Sequence, residues 1–306
     1  MIGREEARRA FTGPIASVCT PFREDGAIDY EGLRTFVDFV IAAGSKAVVL
    51  TSGDSLYTIL TDDEVAELTK VVVECTAGRA LVVAADRQWA TGKELQFAKY
   101  VRDAGADVLM VMPPDWANSC TEESMTDHYA AVAKEIPVMV VTNVFTNRPV
   151  DFTLRTLNMF YDRSDGFVGI KDDLGSRLIM SLGLEFHDRV PIFSSNARTK
   201  HDYLAASPCG CDGFLSNFIM FRPDISRRFW EAARSGKKSE ALRITEEYEA
   251  PFVQVLSQLE GGMDAGIHGT LELFGIAQRW RRKPYASLGD ADMEKLRHFF
   301  KTKSLL

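Results

Sequence analysis

A short apolar run returns eight times along this chain, each time followed by a stretch with helical periodicity, and few folds accommodate that pattern. The runs are PIASVCT (14–20), KAVVLTS (46–52), ALVVAAD (80–86), DVLMVMP (107–113), PVMVVTN (137–143), GFVGIKD (166–172), VPIFSSN (190–196) and DGFLSN (212–217). They are nearly continuous in hydrophobicity rather than alternating, as strands of a parallel sheet are when helices cover the outer face. Asp29, Thr61 and Thr121 stand where helix N-caps stand, ahead of YEGLRTFVDFVIAAG, DDEVAELTKVVVECTAG and EESMTDHYAAVAKEI. AAGSKAVVL, DAGADVLMV and PCGCDGFLS each close a helix on glycine and re-enter a strand within a few residues. Eight such units in roughly 220 residues predict an α/β fold of the (β/α)8 TIM-barrel kind.

After Asn217 about ninety residues read as helix only, in DISRRFWEAARSG, KSEALRITEEYEAPFVQVLSQLE and GTLELFGIAQRW. The expected division is a barrel over 1–222 and, over 223–306, the last barrel helix with a C-terminal helical extension packed on the barrel. No low-complexity linker separates the two. With 306 residues, 46% of them hydrophobic, the chain can bury a sizeable core.

The net charge of −7 comes from acids and bases mixed along the chain, so no basic stripe suits nucleic acid and no polybasic segment suits a membrane surface. No apolar run approaches the roughly 18 residues of a membrane span. The start, MIGREEARRAFTG, lacks the apolar core of a secretory signal, and a cytoplasmic location is expected. The five cysteines (Cys19, Cys75, Cys120, Cys209, Cys211) are odd in number and scattered, and are expected to be reduced and mostly buried. His128, His187, His201, His268 and His298 are isolated, so no metal site is expected. EGGMDAGIHG (260–269) has no strand before it and reads as a turn between tail helices rather than a phosphate loop. The expected partner is a small molecule or another copy of the chain.

In such a barrel the catalytic groups come from the C-terminal ends of the strands. Here those ends offer Thr20; Thr51, Ser52, Gly53 and Asp54; Asp86 and Arg87; Thr142 and Asn143; Lys171, Asp172 and Asp173; Ser194, Ser195 and Asn196; and Ser216 with Asn217. The ring is rich in hydroxyls and carries one lysine. Partial desolvation disfavours an ammonium, and a neutral amine at a barrel mouth can attack a ketone to form an imine. The competing reading has Lys171 reaching solvent and pairing with an aspartate. Asp172 and Asp173 would both hold the proton on if they pointed inward, so at least one is expected to face the following helix as a cap.

Thr51, Ser52 and Gly53 combine two hydroxyls, loop N–H groups and a glycine that allows close approach, a set that can hold a carboxylate without a cation. The plainer reading is an ordinary strand-to-helix turn. Arg87 and Arg148 either meet a second anionic group of the substrate or pair at the surface, the second being the plainer. Trp89 and Trp116 either wall the entrance or pack at an interface.

With LTSGDS after the second strand, PP after the fourth, TNV after the fifth, GIKDD at the sixth, DGFLSN at the eighth, TPFREDGAIDYEGL near the start and a helical tail, the chain resembles the dihydrodipicolinate synthase and N-acetylneuraminate lyase family. The resemblance spans nearly the whole chain. It implies that Lys171 forms a Schiff base with pyruvate or another 2-oxo acid and that Thr51 and Ser52, with Gly53, hold the oxo acid's carboxylate. It also implies that the backbone around Leu215 faces the imine region, while Asn143 and Arg148 join the substrate-binding candidates from their place after the fifth strand. The protonated imine nitrogen then serves as the electron sink, so neither metal nor organic cofactor is required.

Three positions depart from the family's pattern. Its tyrosine at the end of the fifth strand is replaced in TNVF by Thr142 or Val141. The aromatic pair after PP is Asp115 and Trp116, and the arginine of its G-R-T wording falls on Asn147, one before Arg148. The proton work is then expected of Thr142, a poorer donor than a phenol, or of Asp54, Asp86, a water or the substrate itself. The function implied is a Schiff-base-dependent lyase (aldolase, dehydratase or condensing synthase) acting on pyruvate or a larger 2-oxo acid such as a 2-oxo-3-deoxy sugar acid, working as a homotetramer or homodimer. The synthase of lysine biosynthesis is not specifically implied. The alternative is a catalytically impaired relative that binds a 2-oxo acid as a sensor or scaffold. A phosphate-binding barrel isomerase is disfavoured because SSNARTK and SNFIMFRP lack phosphate-cradling glycines.

Overall fold

The computed structural model describes residues 1–195 and 211–306. Each apolar run supplies one strand: β1 (Gly13–Ser17), β2 (Ala47–Val49), β3 (Leu81–Ala85), β4 (Val108–Val111), β5 (Val138–Val141), β6 (Phe167–Asp172), β7 (Ile192–Ser194) and β8 (Gly213–Leu215). All pair in parallel, in chain order, and β8 pairs with β1 to close the barrel. The remainder of the SSNARTK loop from Asn196, together with His201 and Cys209, lies outside the described residues.

The helices between strands start where the capping residues stand. Asp29 accepts the Gly32 amide ahead of Tyr30–Ala42, and Thr61 and Thr121 each form a capping box, with Glu64 and Ser124 respectively. The opening segment contributes a further helix, α1 (Arg4–Phe11). Its Phe11 is fully buried beneath the barrel, 5.5 Å from the ring of Phe193.

Side chains along a strand alternate between faces, and paired residues of neighbouring strands share one. Met110, Met139, Gly169 and Phe193 thus belong to the barrel interior, with Met110 paired to Met139 and Met139 to Gly169. One irregularity interrupts this order. Val138 pairs with Phe167 but Met139 pairs with Gly169, leaving Val168 as a bulge. Phe167 lies outside, stacked 4.7 Å from Phe160, whereas Gly169 faces Met139 and Phe11 within.

Beyond β8 the chain is helical over Pro223–Arg234, Lys238–Ile244, Ala250–Leu256, Gly262–Leu273 and Asp290–Thr302. Phe218 and Phe221, just after β8, join Phe252, Phe274 and Phe300 of the tail in one aromatic cluster with ring separations of 5.1 to 5.7 Å. Two sequence expectations are corrected here. The glycine-rich 260–269 is a turn only as far as Gly261, and the rest is helix. A side chain at Gly266 or Gly269 would meet Leu256 at 2.4 Å or Leu288 at 2.6 Å, so these glycines serve close packing rather than turning. The helical reading of GTLELFGIAQRW fails after Leu273, because Gly275 has a φ of +69° and ends the helix.

Candidate active site

A cavity of about 260 Å³ opens at the C-terminal ends of the strands. Thr51, Ser52, Gly53 and Asp54 line it after β2, Met110 and Met112 at β4, Val141 and Asn143 at β5, Lys171 and Asp173 at β6, Ser195 after β7 and Leu215 at β8. Six of the residues expected from sequence therefore meet around one space: Lys171, Thr51, Ser52, Gly53, Asn143 and Leu215. Met110 and Met112 were not anticipated, although their spacing in DVLMVMP is that of one strand face.

Lys171 pairs across the sheet with Val141 and Phe193 and points inward. It is 6% exposed, and its Nζ donates to the Asp173 carboxylate, two residues on and on the same face. A buried ammonium is tolerated only with such a counter-charge. Asp172 faces the other way. Its carboxylate accepts from Thr142 Oγ1 at 2.7 Å and from the amides of Leu174 and Gly175, immediately ahead of the helix Ser176–Phe186. Burial pushes Asp172 up, and those three donors pull against it. One aspartate thus braces the turn into the helix, and the other reaches the lysine.

Thr142 does not line the cavity. With Val141 facing inward, its neighbour must face out, and the Thr142 hydroxyl is fully buried between Asp172 and the Asp173 amide, which it accepts at 2.9 Å. At the end of β5 the cavity is therefore met by a hydrocarbon, the side chain of Val141. Arg148 is also directed elsewhere. It pairs with Asp115 at 2.7 Å, donates to the Cys120 carbonyl and lies 4.3 Å over the Phe152 ring. Burial pushes Asp115 up, but the Cys120 amide and the Arg148 guanidinium hold it below its ordinary value, so this arginine is already committed. Arg87 pairs with Asp62 at 2.8 Å, and Trp89 packs on Phe97 beneath Lys93, so neither lines the cavity.

The loop after β2 is rigidly placed. Ser55, fully buried, accepts the Thr51 amide at 3.1 Å and donates to the Val18 carbonyl at 2.7 Å, while Thr20 donates to the Ser55 carbonyl. Thr51 Oγ1 accepts the Asp54 amide. The amides of Ser52 and Gly53 meet no acceptor among the described residues and border the cavity. A carboxylate there would receive two N–H groups and the Ser52 hydroxyl. Ser55→Ala leaves the Thr51 amide and Val18 carbonyl unmatched in the interior. It is expected to lower the unfolding free energy by about 2 kcal/mol in denaturant titration.

Asp86 is likewise not a cavity group. It is fully buried behind β4, where it accepts the Met112 amide at 2.7 Å and faces the equally buried Glu94. Burial pushes both carboxyls up, and the proximity of Asp86 pushes Glu94 further, so the pair keeps a proton where an ordinary carboxyl would not.

Among the described residues no group of three or more potential metal ligands comes together, and no helix is long and apolar enough to cross a membrane. Of the described cysteines, Cys19 and Cys211 are buried, Cys75 and Cys120 are partly so, and all are free thiols.

A model of the dihydrodipicolinate synthetase family matches residues 10–303. The chain is 27% identical to "Probable 5-dehydro-4-deoxyglucarate dehydratase 1" of Streptomyces coelicolor over 93% of this chain and 90% of that one. It is also 27% identical to 4-hydroxy-tetrahydrodipicolinate synthase of Brucella abortus, over 96% and 99%. Among solved structures, N-acetylneuraminate lyase from Fusobacterium nucleatum complexed with pyruvate superposes with a TM-score of 0.83 at 18% identity, covering 95% of this chain and 97% of that one.

Proposed function

The chain belongs to the dihydrodipicolinate synthetase family, and from that premise we propose that Lys171 condenses with the ketone of a 2-oxo acid to open a lyase reaction. The family's members are imine-forming lyases, synthases and dehydratases that act on pyruvate or larger 2-oxo acids. The observation that carries the assignment to this lysine is its buried place in the cavity wall, together with a preorganised carboxylate-sized set of donors at Ser52 and Gly53. A 2-oxo acid held by its carboxylate in that loop presents its ketone to the cavity, and Met110, Met112, Val141 and Leu215 supply an apolar wall for the rest. Once the imine forms, its positive nitrogen draws electrons from the adjacent carbon, which is what cleavage, addition and dehydration share. A 2-oxo-3-deoxy sugar acid suits the hydroxyl-rich rim, and its substrate carboxylate needs no arginine. The sensor or scaffold reading is not favoured, since the named relatives are enzymes.

The test is borohydride reduction in the presence of pyruvate, followed by peptide mass spectrometry. A reduced pyruvyl group on the peptide containing Lys171, absent in Lys171→Ala, is the expected result. No adduct with pyruvate or with longer 2-oxo acids would remove the reading.

A cytoplasmic homodimer or homotetramer completes it. Trp116 is 89% exposed on the loop after β4, held by left-handed backbone at Ala117 and Asn118, and an indole so exposed suits a subunit contact. Trp116→Glu is expected to give a smaller species than the parent in size-exclusion chromatography with light scattering.

A further inference from the structure

Resting on the imine reading above, we propose that Asp173 is the acid and base of this site, carrying protons between the Lys171 amine and the substrate oxygen. Among the described residues the titratable side chains that line the cavity are Asp54, Lys171 and Asp173, and Asp173 is the one bonded to Nζ. Its position is fixed from two directions. Strand alternation puts it on the face of Lys171, and the Thr142 hydroxyl holds its backbone amide at 2.9 Å. Its side chain keeps 21% exposure, so it can reach both the lysine and a molecule in the cavity. Thr142, Asp172 and Val141 are occupied or inert, and Asp54, the other carboxylate on the cavity, stands on the loop after β2 and makes no bond to Nζ among the described residues. The Thr142 hydroxyl is spent between Asp172 and the Asp173 amide, Asp172 is wrapped by three donors, and Val141 offers no proton.

The steps balance with one carboxylate. The Lys171 ammonium gives a proton to Asp173 and becomes a neutral amine. The amine's lone pair attacks the ketone carbon, the C=O π pair moves to oxygen, and that oxygen takes the proton from Asp173. The nitrogen, now cationic, returns a second proton to the Asp173 carboxylate, giving the neutral carbinolamine. Asp173 delivers that proton to the hydroxyl, the C–O bond breaks, water leaves, and the nitrogen lone pair closes the C=N bond. Two of the three ammonium protons depart in the water and the third stays on the iminium nitrogen, with Asp173 again a carboxylate beside it. Product release runs the same relay backwards. Thr142 is a positioning residue in this scheme, acting through the Asp173 amide.

The experiment compares the rate at which trappable imine forms from pyruvate in the parent protein, Asp173→Asn and Asp173→Ala, across pH and with or without formate. The expected result is a fall of about 10²-fold in both variants. The half-saturating pyruvate concentration should hardly change, one limb of the pH–rate profile should be lost, and formate should restore the alanine variant. Thermal unfolding by circular dichroism shows that each variant is folded, and Asp173→Glu, which keeps the carboxylate on a longer arm, should recover part of the rate. Parent-like rates and pH profiles in both variants would overturn the proposal. So would a slower rate with an unchanged profile and no rescue, which marks Asp173 as a structural partner of the lysine. An adduct on parent Lys171 with unaffected variants overturns this relay alone, whereas no adduct in the parent overturns the imine reading and the relay together.

Discussion

Lys171→Met is expected to lower turnover by about 10⁴-fold or more and to leave no pyruvate-dependent adduct, because no other amine lines the cavity among the described residues. The same substitution is expected to leave stability unchanged or raise it by about 1 kcal/mol. Lys171 is a cation held at 6% exposure, and methionine fills a similar volume without the desolvation penalty. Asp173, partly exposed, can turn its carboxylate to water. Opposite signs for activity and stability distinguish a group kept for chemistry from one kept for packing. The checks are steady-state kinetics on an active 2-oxo acid, the borohydride trap and denaturant unfolding. A variant that loses stability while trapping is already absent in the parent would make Lys171 a structural ion-pair partner instead.

Glu94→Gln is expected to stabilise the protein by about 3 kcal/mol at pH 8 and to make little difference at pH 5. Burial and the neighbouring Asp86 push Glu94 up, so in the folded state it stays protonated above the pH at which an unfolded glutamate ionises. Between those two points the folded chain binds more protons than the unfolded one, and stability falls as pH rises. Below about pH 4 both states are protonated and the contribution is fully present. Glutamine offers Asp86 an N–H donor that does not ionise, which removes the larger part of that slope. His128 and His268 lean the other way. Burial lowers each to about 4, so the unfolded chain takes up their protons first and stability is lost as pH falls below the ordinary histidine range. Denaturant midpoints of parent and variant across pH 5 to 9 provide the check, and parallel curves would show that the two carboxyls do not share a proton.

The eight strands were legible because near-continuous apolar runs at regular spacing have few other solutions, and the cavity-lining Lys171, Thr51, Ser52 and Gly53 could be found by asking what stands at strand ends. What was illegible depends on direction and distance. Thr142 and Val141 are adjacent, and only the face of the strand decides which one looks into the cavity. Arg148 finds its partner in Asp115, 33 residues away on another loop, which no local pattern announces. Glu94 reads as an ordinary first-turn acid of the helix Thr91–Ala104, yet that helix presses it inward against Asp86. The helical glycines 266 and 269 resemble turn residues until the neighbouring leucines are in place.

Counting by twos from Phe167, which looks outward, Gly169 and Lys171 would look outward as well. The parity is reversed once, at Val168. The orientation of the amine is therefore written three residues upstream of it, in a supernumerary residue that touches none of the chemistry. Pairing Val168 with Met139 in a regular ladder would leave the sequence unchanged and yet exchange the roles of neighbours, turning Asp172 toward the interior and Lys171 toward the helices, whereas deleting Val168 would keep both where they are. In this barrel one count of backbone length decides which side chains are chemistry and which are scaffold.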